Sequence, residues 1–486
     1  MLLPLLSSSR LLPVCSPASA LVLAMALAGC TTVTPPALPA GVPAAWAHGA
    51  VAPGTAPTAP APELRAWWKV FGDAPLDRLV DEALAQNLEL AQAAGRLRQA
   101  RLLVVQSREA YLPSLSASER TLQDVAATDS YLHVSLDATW ELGLFGARES
   151  ARQIAQAAVD SSGAVEQGVR VSVVSEVVRQ YIDLRAAQQQ VLLLERVATL
   201  DARSAELAAV RLRTRLASPG EATQARAQAA QVQALLATPR QAVVQAAQAL
   251  AVLTGRLAPD PAWLVPAPQP ALGAVSIAQV PADLLRVRPD VRKAEAAVLD
   301  AAGQFGIARA ELYPHVSIGA SYLYAYNLTQ NRRGGPTDRI PVIGPLIDIP
   351  LFDWGQRRTR VDIRNDALDM SLLAYRQAVL EGVSETETAL SALAQQAGRE
   401  KQLGLAAGAL RQQADSQKTL ARSGLGSEYE QLGSERSAVL AEAERAGARA
   451  AHALAFVAVY KALGGAPLPA PAAAETVAAS QQGAAR

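Results

Sequence analysis

The chain has 486 residues, 50% of them apolar, with Lys+Arg of 45 set against Asp+Glu of 44. That length and apolar fraction exclude general disorder, and the even charge balance leaves no basic excess for a nucleic-acid partner. Aromatics make up 4%, thin for a core built on rings and natural for helices packed through Ala and Leu.

The N-terminus reads as an address. Arg10 is the one charged side chain among residues 1–29, and "ALVLAMALAGC" is a short apolar run ending at a small residue, the pattern of an export signal. The run is too short to stay in a bilayer as a spanning helix. Leu27-Ala28-Gly29-Cys30 resembles the bacterial lipobox, so residues 1–29 are expected to be a lipoprotein signal peptide and Cys30 to take a diacylglycerol as the new N-terminus. Cys15 lacks the small residue that a lipobox places before its Cys and would leave with the signal. The mature chain then holds one cysteine and no internal disulfide. Thr31 stands where an inner-membrane retention Asp would, which directs the anchor to the outer membrane. Residues 30–62 form a Pro/Ala-rich tether without periodicity, and 467–486 a flexible C-terminal tail.

Between them the chain repeats itself. "NLELAQAAGRLRQARLLVVQSREAYLPSLS" from Asn87 lines up with "RPDVRKAEAAVLDAAGQFGIARAELYPHVS" from Arg288 at an offset of 201, and "LGLFGARE" from Leu142 with "IPLFDWGQRR" from Ile349 at 207. "LTG" at Leu253 matches "LGG" at Leu463 at 210. Each half is expected to open with one helix, Leu76 to Ala110 and Pro281 to Leu312, ending at Pro113 and Pro314. Periplasmic helices are assigned to 63–111, 146–312 and 355–466, strand pairs to 112–145 and 313–354. The proline-free stretch from Gly146 to Ser218 is long enough for about 100 Å of helix. Val171, Val174, Val178, Tyr181 and Ile182 recur on one face of it. Breaks near Arg215 and Arg422 turn the chain back into antiparallel coiled coils, and Pro239 is expected to interrupt the first returning helix. "GLAAG" at Gly404 to Gly408 is read as close helix packing.

The strand segments have two faces. From Leu132 to Leu144, apolar side chains alternate with His133, Ser135, Asp137, Thr139, Glu141 and Gly143. "HVSIGASYLYAYNL" puts Val316, Ile318, Ala320, Tyr322, Tyr324 and Tyr326 on one face, and "IPVIGPLIDIPLF" does the same with Ile343, Ile347, Ile349 and Leu351. One such strand suits a soluble sheet; four near membrane-spanning length suit a β-barrel wall. An open edge cannot stand in lipid, so four strands per chain must close with copies of themselves. Two chains would give eight strands and a filled interior, three give twelve and a lumen. His133, Asp137 and Glu141 are the candidate lumen-facing residues.

"WWKVFGDAPLDRLVDEAL" at Trp67, "LLRVRPDVRKAEA" at Leu284, "PLFDWGQRR" at Pro350 and "VYKALGG" at Val459, in that order, resemble the outer membrane efflux proteins of the TolC type, in the lipoprotein branch of OprM and NodT. The resemblance implies an α+β membrane protein with internal duplication. It implies a homotrimer whose twelve-stranded transmembrane β-barrel continues into a long periplasmic α-helical barrel. It also implies a passive exit duct without cofactor, joined by a periplasmic adaptor to an inner-membrane pump, most often of the RND class. Relatives carry Leu-Asp-Ala-Gln-Arg after the second helical turn, where the Asp helps close the periplasmic tip. Here "LGSER" puts Gly433 in the Asp position and keeps Arg436. Glu428, Glu430 and Glu435 are candidates for the missing carboxylate, with Glu435 nearest to Arg436. No HExxH, P-loop or dinucleotide fingerprint is present, and the four His have no ligand spacing. The rival readings are a lipid-anchored periplasmic scaffold without a pore and a similar duct serving protein secretion.

Overall fold

The computed structural model describes residues 63–123, 130–273, 286–327 and 339–468, with Leu38 and Trp46 ahead of them. The expected lipid attachment at Cys30, most of the tether and the tail from 469 onward lie outside the described residues.

The elements run, in chain order, α1 (Ala74–Gln86), α2 (Leu88–Glu109), β1 (Ser114–Gln123), β2 (Ser130–Glu141), α3 (Ala147–Arg213), α4 (Pro219–Leu235), α5 (Ala237–Leu253), α6 (Pro289–Ala310), β3 (His315–Asn327), β4 (Arg339–Asp348), α7 (Gln356–Arg422) and α8 (Glu428–Ala462). They divide between two compact units, each drawing on both halves of the sequence. One contains Gln99–Asp160 and Glu295–Ala374, the other Pro39–Arg98, Ser161–Ala294 and Tyr375–Arg486.

The first unit carries a four-stranded antiparallel sheet in the order β1-β2-β3-β4. β2 ends at Glu141 rather than Phe145, because Gly143 (φ +59°) and Phe145 (φ +55°) turn left-handed and take the chain off the pleat. Ile349 and Leu351, expected on a strand face, likewise fall beyond the end of β4. Within this unit α6 approaches α3 closely at Gly303. A Cβ there would stand 2.6 Å from Ile154 Cγ1 and 3.0 Å from the Ser150 carbonyl oxygen.

In the second unit the opening helix is two helices, not the one expected from Leu76 to Ala110. Asn87 adopts an extended conformation between α1 and α2. Its Oδ1 accepts from Leu90 N–H at 3.0 Å, capping α2, while its Nδ2 donates to the Leu253 carbonyl at the end of α5 at 3.0 Å. In the second half Arg288 takes the matching place and donates to the Ala462 carbonyl at the end of α8. Each half thus closes on itself through one side chain.

α3 and α7 are both 67 residues long, about 100 Å each at 1.5 Å per residue. They end at left-handed Arg215 (φ +59°) and Gly424 (φ +73°), and the returning helices start from N-caps Ser218 and Ser427. Pro239 has the expected effect: the first returning helix breaks at Leu236, four residues before the Arg240 N–H that bonds its carbonyl. Val171, Val174, Val178, Tyr181 and Ile182 are buried as their spacing predicts. They join a core around Trp67, which stacks on Tyr460 at 5.6 Å and donates its indole N–H to the Gly465 carbonyl at 3.0 Å. Burial pushes the Tyr460 hydroxyl up to about 12. The tight packing expected of Gly404 and Gly408 is not seen among the described residues: a Cβ at Gly408 would meet none of them within 4 Å, and one at Gly404 only Arg445 at 3.7 Å.

The structure also relocates the drift between the halves. α2 and β1 match α6 and β3 at an offset of 201, whereas β2, α3 and both tip N-caps match β4, α7 and their counterparts at 209. The whole difference therefore enters in one place, between the paired strands. Phe145 corresponds to Trp354 (φ +58°), not to Phe352 as letter matching at 207 suggests.

Candidate functional site: the strand wall and the helical tip

The register of the sheet sorts its side chains. Leu136 lies opposite Ala117 on β1 and Tyr322 on β3, and Trp140 opposite Ile318. Val316 and Ala320 pair with Ile347 and Ile343. Every one of these projects to the same face, because strand neighbours in register share a side of the pleat. Val134, Leu136, Trp140, Tyr322, Ile343 and Ile347 are exposed there. The face is apolar over its half nearer Glu141, while toward the other end Glu119 stands beside Val134 and Arg339 beside Tyr324; an apolar surface spread over four strands is expensive in water and natural in hydrocarbon. β1 and β4 each keep one edge unpaired among the described residues.

The opposite face is polar on β1, β2 and β3. Ser118 and Ser135 share a hydrogen bond at 2.8 Å; Ser135 donates to Asp137 Oδ2 at 2.6 Å and Ser321 to Asp137 Oδ1 at 2.6 Å. Asp137 is thus held from two strands by hydroxyls. Glu141 meets His315 Nε2 at 3.1 Å, and His133 stands beside Arg120 in register. The three residues singled out from sequence share this face without converging on a common point. Among the described residues no cluster of His, Cys, Asp or Glu is placed to hold a metal ion, and no helix is long and apolar enough to cross a membrane. The arrangement can line water.

At the tip, the structure corrects the expected pairing. Arg436 Nε donates to Asp201 Oδ1 at 2.6 Å, joining α8 to α3 across 235 residues of sequence. Glu435 does not serve Arg436, since consecutive helical residues point about 100° apart. It accepts instead from Arg196 at 2.6 Å, and Glu428 accepts from Arg203 at 3.0 Å. These three rungs bind the same two helices. They differ in setting: Asp201 is 2% exposed, whereas Arg203 and Glu428 are in solvent. Asp201 is the residue that sequence reasoning missed. The search for a carboxylate stayed within two turns of Arg436, while the partner lies in the other half of the duplication.

The sheet and the paired helices define one chain's share of an outer-membrane duct. The profile of the outer membrane efflux protein family matches residues 79–256 and 280–465, one stretch in each half, and the chain belongs to that family. Among relatives, pyoverdine export outer membrane protein OpmQ of Pseudomonas putida is 27% identical over 474 residues, covering 91% of this chain and 96% of its own. Nodulation protein T of Rhizobium leguminosarum bv. viciae is 27% identical over 336 residues, 68% of this chain and 69% of its own. Among solved structures, the outer-membrane channel OprN superposes with a TM-score of 0.78 at 27% identity, covering 90% of this chain and all of that one. The open state of the Neisseria gonorrhoeae MtrE channel gives 0.76 at 22%, covering 90% and 98%. The fold class is that of a trimeric outer membrane channel, four strands per chain to a twelve-stranded barrel with a periplasmic helical barrel. The protein is an outer membrane efflux channel that extends into the periplasm.

Proposed function

We propose that this chain is the passive exit duct of a tripartite efflux system. Substrate reaches it from an inner-membrane pump of the RND class through a periplasmic adaptor, and direction and energy come from that pump. The observation that carries the reading is the two-faced sheet, apolar and exposed on one side, hydroxyl- and carboxylate-lined on the other, with both edges open to further strands. A water-lined lumen lowers the barrier to crossing lipid and needs no cofactor. His133, Asp137 and Glu141 keep the wall wet, Cys30 carries the lipid anchor, and the pair of Asp201 and Arg436 helps hold the tip closed. A poreless periplasmic scaffold has no use for the apolar face. The test is paired: purified protein in planar bilayers should conduct ions, and a strain lacking the gene should accumulate a pump substrate that the restored gene clears. A protein that inserts but never conducts, in a strain with unchanged accumulation, would remove the reading.

A further inference from the structure

The duplication supports one step more, which rests on the channel reading above: it specifies the contact between neighbouring chains at the level of single residues. Under the two offsets the hairpin β1–β2 maps onto β3–β4 without a slip. Ser114 opposite Thr139 becomes His315 opposite Asp348, and Leu115 opposite Ala138 becomes Val316 opposite Ile347, both of them observed pairs. The internal symmetry is therefore kept in register, not just in topology. The remaining junction inside the chain, β2 with β3, has no counterpart inside the chain, because its image would join β4 to a β1 that is already at the far edge of the same sheet. A four-stranded ring is too small to close, so the image falls between chains.

We propose that β4 pairs antiparallel with β1 of a second copy in the register that β2–β3 dictates. Thr139 opposite Gly319 becomes Asp348 opposite the neighbour's Ser118, and Asp137 opposite Ser321 becomes Leu346 opposite the neighbour's Arg120. Arg120 then lies diagonal to Asp348 on the polar face, within reach of a long side chain. Each chain thereby gains an ion pair across the junction. The rim follows the same mapping. Phe145, at the exit of β2, stacks on Tyr313, at the entrance to β3, at 5.0 Å and 12°. Its image puts Trp354 on the neighbour's Leu112. In the single chain Trp354 is 91% exposed despite its left-handed backbone, and Leu112 is exposed as well. A copy docked in this register covers both. It also pairs the two free edges that hydrocarbon does not tolerate.

The test is disulfide trapping in the full-length protein in its own membrane. Oxidation of the double variant Ser118→Cys with Asp348→Cys should convert most of the chain into covalent trimer on non-reducing gels. Ser114→Cys with Asp348→Cys, four residues out of register and so about 13 Å off, lies beyond disulfide reach and should give none. Leu112→Cys with Trp354→Cys tests the rim outside the strands, should either strand variant fail to assemble. The mass of the unoxidised protein in detergent is measured first. A monomer overturns the channel reading and this proposal together. A trimer that links through Ser114→Cys but not through Ser118→Cys, or that links at none of these pairs, overturns the register alone.

Discussion

Arg436→Ala tests the tip. Asp201 is 2% exposed, with Oδ1 bonded to Arg436 Nε at 2.6 Å and Oδ2 without a hydrogen-bond partner among the described residues. Truncating the arginine leaves a buried carboxylate uncompensated, which costs about 3–5 kcal/mol in comparable sites. Arg436 keeps some contact with solvent, so the low end, about 3 kcal/mol per chain, applies. At about 1.4 kcal/mol per decade that multiplies the population with α8 parted from α3 by roughly a hundredfold. The exposed rung between Arg203 and Glu428 can offset less than about 1 kcal/mol of this. Two measurements follow the tip: limited proteolysis in the turns at 214–218 and 423–427, and single-channel conductance. Both should rise in Arg436→Ala. Adding Asp201→Asn removes the buried charge and should return most of the effect, since the two changes act on one interaction. Cleavage and conductance within twofold of the parent in Arg436→Ala, or a double variant as open as the single one, would refute the assignment.

Arg at Leu136, on the apolar face, should cost about 2–4 kcal/mol per chain near the bilayer midplane and abolish trimer assembly. Arg at Ser116, on the polar face, should assemble with altered conductance; gels of unheated samples separate the two. Gly303→Val drives a side chain into Ile154 and the Ser150 carbonyl and should destabilise by about 1–3 kcal/mol, read as a lower melting temperature of the trimer. Burial works to raise the Asp290 carboxyl, but its bonds to Arg288 win and hold it below the ordinary carboxylate range. Its contribution to stability is then full above the unfolded value near 4 and lost as pH falls through the depressed one. Asp290→Asn should consequently flatten the acid limb of the stability profile and leave pH 7–8 comparisons parallel. Cys30→Ser should yield an unprocessed, unacylated precursor by mass spectrometry; a normally acylated mature N-terminus would exclude Cys30 as the anchor.

What could be read from the sequence was whatever repeats over many residues. The spacing of Val171, Val174, Val178 and Tyr181 fixed a buried helical stripe, and the alternation from Leu132 to Trp140 fixed the faces of β2. Features resting on one residue were missed. Asn87 ends one helix and starts the next through two hydrogen bonds, yet an Asn in a polar stretch looks like surface. Phe145 and Trp354 turn left-handed, a conformation that residue type announces for Gly and rarely for an aromatic. Apolar alternation therefore ran on in the letters after the strand had ended. Matching Phe145 to Phe352 was attractive because the letters agree, but backbone conformation pairs Phe145 with Trp354. Asp201 was missed for a different reason: its partner is set by how two antiparallel helices lie side by side, which sequence distance does not encode.

The duplication also shows where the halves had to diverge. Under the offset of 209, Asp201 corresponds to Leu410 and Arg436 to Ala227. The ionic pair therefore has no counterpart at the matching positions of the other repeat, which are both apolar. In the proposed duct the pair would therefore act once per chain, at a tip whose matching positions in the other repeat carry no charge. Parting α8 from α3 returns both ions to water, so opening costs less than the roughly 3 kcal/mol exacted by truncating Arg436, a figure that includes the carboxylate left buried and alone. The variant and the opening transition thus measure different quantities, and the double variant with Asp201→Asn is what separates the stranded charge from the worth of the pair.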